Sequence, residues 1–295
     1  MILFVIFLIL LVSTGCIHNM KGVQEVKEAT PVKASFNESD PLHLGVTRML
    51  IAKGYYELAL AQLREIIKKD PKNPEIYYLM GCAFREKKMF KEAYKSFNKA
   101  ISLAPEYANA YDGLGITYDL EGRHKEAVKM YKKAISINPG IAKFYNNLGF
   151  SLYLQGDFTK AIEAFQKALH IDPDNKKFFN NLGYAYGMKG EYETAWQVFK
   201  KGGDIATAYN NMGFVYQMNG DLERAEEMYE KALEVKPNFI KAYNNLKEIR
   251  KAMAEIKKRR HKEDILKVFK KKPLPVPERG EIYQIKGDYE KEYQM

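Results

Sequence analysis

A five-residue phrase recurs along this 295-residue chain at a spacing that leaves little choice of architecture. It reads Tyr145-Asn146-Asn147-Leu148-Gly149, then Phe179-Asn180-Asn181-Leu182-Gly183, Tyr209-Asn210-Asn211-Met212-Gly213 and Tyr243-Asn244-Asn245-Leu246-Lys247. Looser copies stand at Tyr77-Tyr78-Leu79-Met80-Gly81 and Tyr111-Asp112-Gly113-Leu114-Gly115. Gly81, Gly115, Gly149 and Gly183 are 34 residues apart; the step to Gly213 is 30, and the step on to Lys247 is 34 again. A fixed period of that length marks a repeat array, in which each unit buries its apolar face on its neighbours.

Aligned on the glycine, the copies share more. Twelve residues on is a small residue (Ala93, Ala127, Ala161, Ala195, Ala225), and four further an aromatic (Phe97, Tyr131, Phe165, Phe199, Tyr229). Three further is another small residue (Ala100, Ala134, Ala168, Gly202, Ala232), followed by Pro105, Pro139, Pro173 or Pro237. Each unit therefore predicts two helices joined by a glycine-containing turn, the second stopping before a proline that cannot continue it. Small residues facing large ones allow close helix packing, so these are expected to be packing positions.

On this spacing the chain resembles the tetratricopeptide repeat (TPR) family over about residues 40–250. The resemblance implies an all-α fold, a right-handed solenoid of helix-turn-helix units. Counting back one period adds a degenerate first unit at about 40–73, with Thr47 in place of the glycine and Ala59, Leu63, Ile66 and Pro71 in register. Six units and the first helix of a seventh are expected, with that helix continuing as a long C-terminal cap.

The N-terminus reads differently. Met1 to Val12 is almost wholly apolar and ends in Ser13-Thr14-Gly15-Cys16. A membrane-spanning helix needs roughly 20 apolar residues; a shorter run ending in small residues reads as a signal peptide, here 1–15. Small residues before a cysteine resemble the lipobox of bacterial lipoproteins, which makes Cys16 the lipid-attachment residue. Ile17 rather than Asp after it implies, by the same resemblance, the outer rather than the inner membrane of the cell envelope. The alternative is an uncleaved anchor holding a TPR adaptor or regulatory subunit on the cytoplasmic side. Residues 16–39 form a polar tether with a reach of about 25–30 Å. Cys82 beside Gly81 is expected to be a buried small hydrophobe.

Asparagine is a poor helix former, yet pairs of it sit mid-helix four times. In TPR solenoids the first helices line the concave groove, and the unit's phase places Asn147, Asn181, Asn211 and Asn245 toward it, with Asn146, Asn180 and Asn210 near. Carboxamides donate and accept, which suits the backbone of an extended peptide; the pattern resembles the asparagine ladder of peptide-binding TPR superhelices. Phe150, Tyr184 and Phe214 are expected on the same face, and Lys143, Lys177 and Lys241 one turn before the ladder amides. The competing reading is structural: the amides bridge adjacent helices and bind nothing.

Unit five lacks its proline and is four residues short, about one helical turn. Gly202-Gly203 is expected to turn the chain sharply there and to change the local curvature. Beyond Asn245 no Gly or Pro interrupts until Pro273, and residues 247–272 hold twelve Lys/Arg against four Asp/Glu, when the whole chain carries +10. The basic helix over 251–272 could contact an anionic surface; a Pro-containing tail, 273–295, follows. Export argues against nucleic acid.

No catalytic constellation stands out. The five histidines (His18, His43, His124, His170, His261) have no metal-ligand spacing, and no glycine-rich phosphate loop is present. The reading is a non-enzymatic scaffold with no catalytic residues, metal or cofactor. Its expected partner is a protein or peptide segment, and the similarity to TPR lipoproteins of pilus assembly points to a secretin or pilus component.

Overall fold

The computed structural model describes residues 41–271, with side chains over 44–259. The signal sequence with Cys16, the tether and the C-terminal tail of the sequence reading lie outside the described residues. These divide into two compact units, one ending at Gly203 and the other beginning at Asp204.

The first unit holds ten helices: α1 (Pro41–Ala52), α2 (Tyr56–Lys69), α3 (Pro74–Glu86), α4 (Phe90–Leu103), α5 (Ala108–Leu120), α6 (His124–Ile137), α7 (Ala142–Leu154), α8 (Phe158–Ile171), α9 (Lys176–Met188) and α10 (Tyr192–Gly202). The second holds α11 (Ile205–Met218), α12 (Leu222–Val235) and α13 (Ile240–Lys271). Among the described residues there is no strand, and no helix is long and apolar enough to cross a membrane.

The local causes repeat with the sequence. The turn inside a repeat needs one residue with left-handed backbone, supplied by Gly54, Gly122, Gly156, Gly190 and Gly220 at φ +74° to +90°. In the second repeat Lys88 does the same work at φ 59°. Second helices stop one residue short of proline. Asp70, Ala104, Asn138, Asp172 and Lys236 are pushed out of the helical region, with φ between −129° and −142°, because the proline ring clashes with a helical residue before it. Asn73, Asn175 and Asp204 cap first helices, and Asp157 and Asp221 cap second helices, each accepting from a backbone N–H of the first turn.

Inside each repeat the glycine lies against the aromatic ring of the second helix. A Cβ would stand 2.6 Å from Phe97 at Gly81, 2.5 Å from Tyr131 at Gly115, 2.8 Å from Phe165 at Gly149 and 2.5 Å from Phe199 at Gly183. In the second unit Gly213 and Tyr229 repeat the contact at 2.7 Å. The rings are at most 2% exposed, so they have nowhere to go. The next repeat's leucine closes each site: Leu114 packs with Cys82, Ala93 and Phe97, Leu148 with Ala127 and Tyr131, Leu182 with Ala161 and Phe165. In the second unit Leu246 and Ile249 of α13 cover Ala225 and Tyr229. Stability is therefore held between nearest neighbours along the chain.

The first repeat solves the same problem with other residues. Thr47 stands at the glycine position and Leu63 at the aromatic one, both with 0% exposure. The smaller leucine admits the larger threonine, whose hydroxyl bonds Gln62 Oε1 at 3.0 Å.

Gly202-Gly203 corrects the expected sharp glycine turn. Neither residue has positive φ, and Gly203 is extended at φ −169°. What demands glycine at 202 is space: a Cβ there would meet Asn180 Oδ1 at 2.7 Å and Phe179 Cβ at 3.0 Å. Helix α10 has 11 residues where the other second helices have 14.

Helix α13 runs unbroken for 32 residues. Ala242, Leu246 and Ile249 are buried, Met253 half-buried, and residues 254–259 exposed. The capping role thus ends about one turn after Ile249.

Candidate peptide-binding face

The asparagine pairs sit in the middle of the first helices, where α5, α7 and α9 run past one another. Their amides are bonded across repeats. Asn181 Nδ2 donates to Asn146 Oδ1 at 2.8 Å, Asn146 Nδ2 to Asn147 Oδ1 at 3.4 Å, and Asn147 Nδ2 to Asp112 Oδ1 at 2.8 Å. The chain of bonds ends on a carboxylate that is 1% exposed, and Lys143 Nζ meets its other oxygen at 2.9 Å. The second unit repeats the step: Asn245 Nδ2 donates to Asn210 Oδ1 at 2.9 Å, and Asn210 Nδ2 reaches Asn211 Oδ1 at 3.4 Å.

The bonds that cross repeats each span 35 residues, one period plus one. The second amide of a pair therefore reaches the first position of the repeat before it. Asp112 occupies that position in the third repeat, and its charge explains Lys143, which spends its ammonium on this partner rather than standing free on a basic surface. Lys177 is exposed, one turn before Asn181.

Exposure divides the ladder. Asn146, Asn147, Asn180, Asn181 and Asn245 are half-buried, while Asn210 and Asn211 are 1% and 3% exposed. A carboxamide has two N–H groups and two acceptor lone pairs. Asn147 uses one of each here, which leaves one donor and one acceptor.

The rings beside the ladder make packing contacts of their own. Phe150 packs against the Ile162 and Phe165 cluster and stacks with Tyr153 at 6.4 Å. Tyr184 meets Phe199 edge-on at 5.0 Å. Each follows a glycine that already touches the second helix, and one residue further turns only about 100° around the axis. These rings pack on one side and stay half-buried; Phe214 is likewise half-buried and engaged.

Sequence reasoning missed a second polar cluster. Asp119, at the end of α5, accepts from Ser151 Oγ on Oδ1 and from the Tyr131 hydroxyl on Oδ2, each at 2.8 Å, and its Oδ1 also pairs with His124 Nδ1 at 2.8 Å. Burial and the Asp119 charge push the Tyr131 phenol well above its ordinary pKa. The signal was present: among the core aromatics only Tyr131 and Tyr229 carry a hydroxyl, and twelve residues before each stands a polar side chain, Asp119 and Gln217. Tyr229 donates to Gln217 Oε1 at 2.7 Å. Ser151 is fully buried, which denies it to any substrate.

Cys82 is 8% exposed among Ala93, Phe97 and Leu114, and burial pushes its thiol up. Among the described residues no group of three His, Cys, Asp or Glu could hold a metal ion.

Comparison with known proteins agrees with this geometry. Models of the tetratricopeptide repeat match residues 74–107, 142–175 and 206–239, and residues 164–197; a TPR repeat model matches 120–156. Among solved structures, pilF of Pseudomonas aeruginosa matches with TM-score 0.55 at 17% identity, covering 70% of this chain and 96% of that one. YrrB, described as a TPR protein with an unusual peptide-binding site, matches at 0.48 and 22% identity, covering 63% and 97%. MamA from Desulfovibrio magneticus RS-1 matches at 0.47 and 27%, covering 55% and 91%. No curated protein matches the chain. With the 34-residue register, the glycine-on-ring packing and the matches to the repeat models together, the chain belongs to the tetratricopeptide repeat proteins, an all-α scaffold for protein–protein interaction.

Proposed function

We propose that the amide face of the first unit binds an extended segment of a partner protein, and that the chain does so as a lipid-anchored assembly factor of the cell envelope. The observation that carries the reading is the half-exposed, cross-bonded pair Asn147 and Asn181. Their amides are oriented by the protein before any ligand arrives, so binding need not order them. Asn147 keeps one donor and one acceptor to offer a peptide backbone, and exposed Lys177 stands beside the face. The anchorage part of the proposal is supported by the Cys16 sequence and its outer-membrane part by Ile17 after it, with a secretin or pilus component as the partner to seek.

The test is photo-crosslinking in cells from an unnatural residue at position 177. Adducts lost in Asn147→Ala/Asn181→Ala support the reading, and a secretin or pilus protein among them names the pathway. Adducts unchanged by the double substitution, or none, sink the amide face as a binding site. In parallel, Cys16→Ser should release the protein from the membrane fraction; retention there would argue for an uncleaved anchor.

A further inference from the structure

Two charged helix faces take no part in the buried core or in the amide chain. On α4, Lys91, Lys95 and Lys99 lie four residues apart, and on α6 Lys125, Lys129 and Lys133 occupy the same positions one 34-residue period later. All six are exposed, none forms an ion pair among the described residues, and Lys99 lies over the Tyr77 ring at 5.9 Å. Four residues is about one turn, so each row places like charges in adjacent turns, an arrangement that works against the helix. The acids on these helices are Glu92 and Glu126, both half-buried, and Glu126 already holds Arg123 at 2.9 Å. The grid is bounded: the same positions read Glu57, Ala61 and Glu65 on α2, and Thr159, Glu163 and Lys167 on α8.

Helix α12 carries the opposite pattern. Glu223, Glu227, Glu230 and Glu234 stand at i, i+4, i+7 and i+11, one helical stripe, and all four are exposed. Lys231 bonds Glu227 at 2.6 Å, and Arg250 contacts Glu226 and Glu230. With five glutamates against Arg224 and Lys231, α12 is nevertheless the acidic second helix of the array.

We propose that the lysine grid of one copy docks on the glutamate stripe of a second copy. The two faces are opposite in sign and each sets a charge about once per helical turn, and the surface pairs already on α12 are of the weak, exchangeable kind. Nucleic acid fits less well, because neither α4 nor α6 carries an arginine or an exposed ring for stacking. A lipid surface fits less well too, since none of the exposed large hydrophobics lies on these helices. The pairing is independent of the amide face and of the anchor.

The experiment is sedimentation velocity on the full chain in mild detergent, at about 0.05 M and about 0.5 M salt, where screening lengths differ severalfold. Salt-sensitive association is expected, weakened about tenfold or more at the higher salt. Lys95→Glu/Lys129→Glu and, separately, Glu227→Lys/Glu234→Lys should each give a folded monomer. Mixing the two variants should restore association, since each then meets its complement on the other. A chain that is monomeric at low salt, association indifferent to either reversal, or a mixture that stays monomeric overturns the proposal. Binding of the wild-type chain to anionic vesicles or to an acidic peptide in place of itself would assign the grid to that occupant instead.

Discussion

The third and fourth repeats set the same backbone positions to opposite chemistry. Asp119, His124, Tyr131 and Ser151 become Tyr153, Phe158, Phe165 and Ala185 exactly one 34-residue period later. In the third repeat three partners converge on one carboxylate, each at 2.8 Å. In the fourth, Tyr153 and Phe158 pack ring to ring at 5.5 Å, Phe165 is 1% exposed and Ala185 fully buried. The fold accepts either answer provided the set is complete. A polar network is stable when every member is satisfied and costly when one is removed, and an apolar cluster is indifferent to hydrogen bonding but intolerant of gaps. The repeat thus fixes where side chains meet and leaves open what they are.

The largest expected effect comes from breaking the polar set alone. Asp119→Ala leaves the buried Tyr131 hydroxyl without its acceptor and Ser151 with only its longer bond to the His124 carbonyl at 3.2 Å, and is expected to destabilise the protein by about 3–5 kcal/mol. Transplanting the whole apolar set, Asp119→Tyr, His124→Phe, Tyr131→Phe and Ser151→Ala together, should recover most of that and end within about 1.5 kcal/mol of the parent. Urea titration of the parent and both variants measures this. A fourfold variant as unstable as Asp119→Ala would show that the two repeats are not interchangeable at these positions.

The amide face offers a smaller version of the contrast. Asp112 in the third repeat stands where Asn146 stands in the fourth, and only the charged one needs Lys143. Lys143→Ala would leave Asp112 buried with Asn147 as its remaining bonded partner, at a cost of about 1–2 kcal/mol, reduced because Lys143 is itself half exposed. Adding Asp112→Asn should remove most of that cost, since the neutral amide is what the fourth repeat already uses. A double-mutant cycle by denaturant unfolding measures the coupling, and strict additivity of the two substitutions would mean the ion pair is idle.

These contrasts also show what the sequence carried openly. The period, the glycine facing a ring and the proline stop are each visible within one unit, because they follow from contacts inside a helix pair or from backbone limits. The bonds that define the candidate site are not local. Asn181 finds Asn146 and Asn147 finds Asp112 across 35 residues, and only the offset of neighbouring helices reveals that the partner is one period plus one away. The contacts of Phe150 and Tyr184 were hidden for a related reason: helical phase says which face they share, and only the packed structure shows which second-helix rings they touch. Gly202 read as a turn residue, but it is required by the approach of Asn180.

The smallest effect expected is a gain, and it extends the comparison from the core to the turn. In the third and fourth repeats the turn residue is Gly122 or Gly156, at φ +74° and +79°; in the second it is Lys88 at φ 59°. An L-residue with a Cβ is strained in that region by roughly 1–2 kcal/mol, while glycine loses more chain entropy on folding. The first term exceeds the second, so Lys88→Gly should stabilise the protein by about 0.5–1 kcal/mol. The reverse change, Gly122→Lys, should cost about as much, since no atom crowds that site and only the backbone conformation resists. Thermal melts of the two variants test both signs at once. If both moved the melting temperature in the same direction, the left-handed turn would not be what distinguishes these positions, and the surface charge of the lysine would have to be weighed in its place.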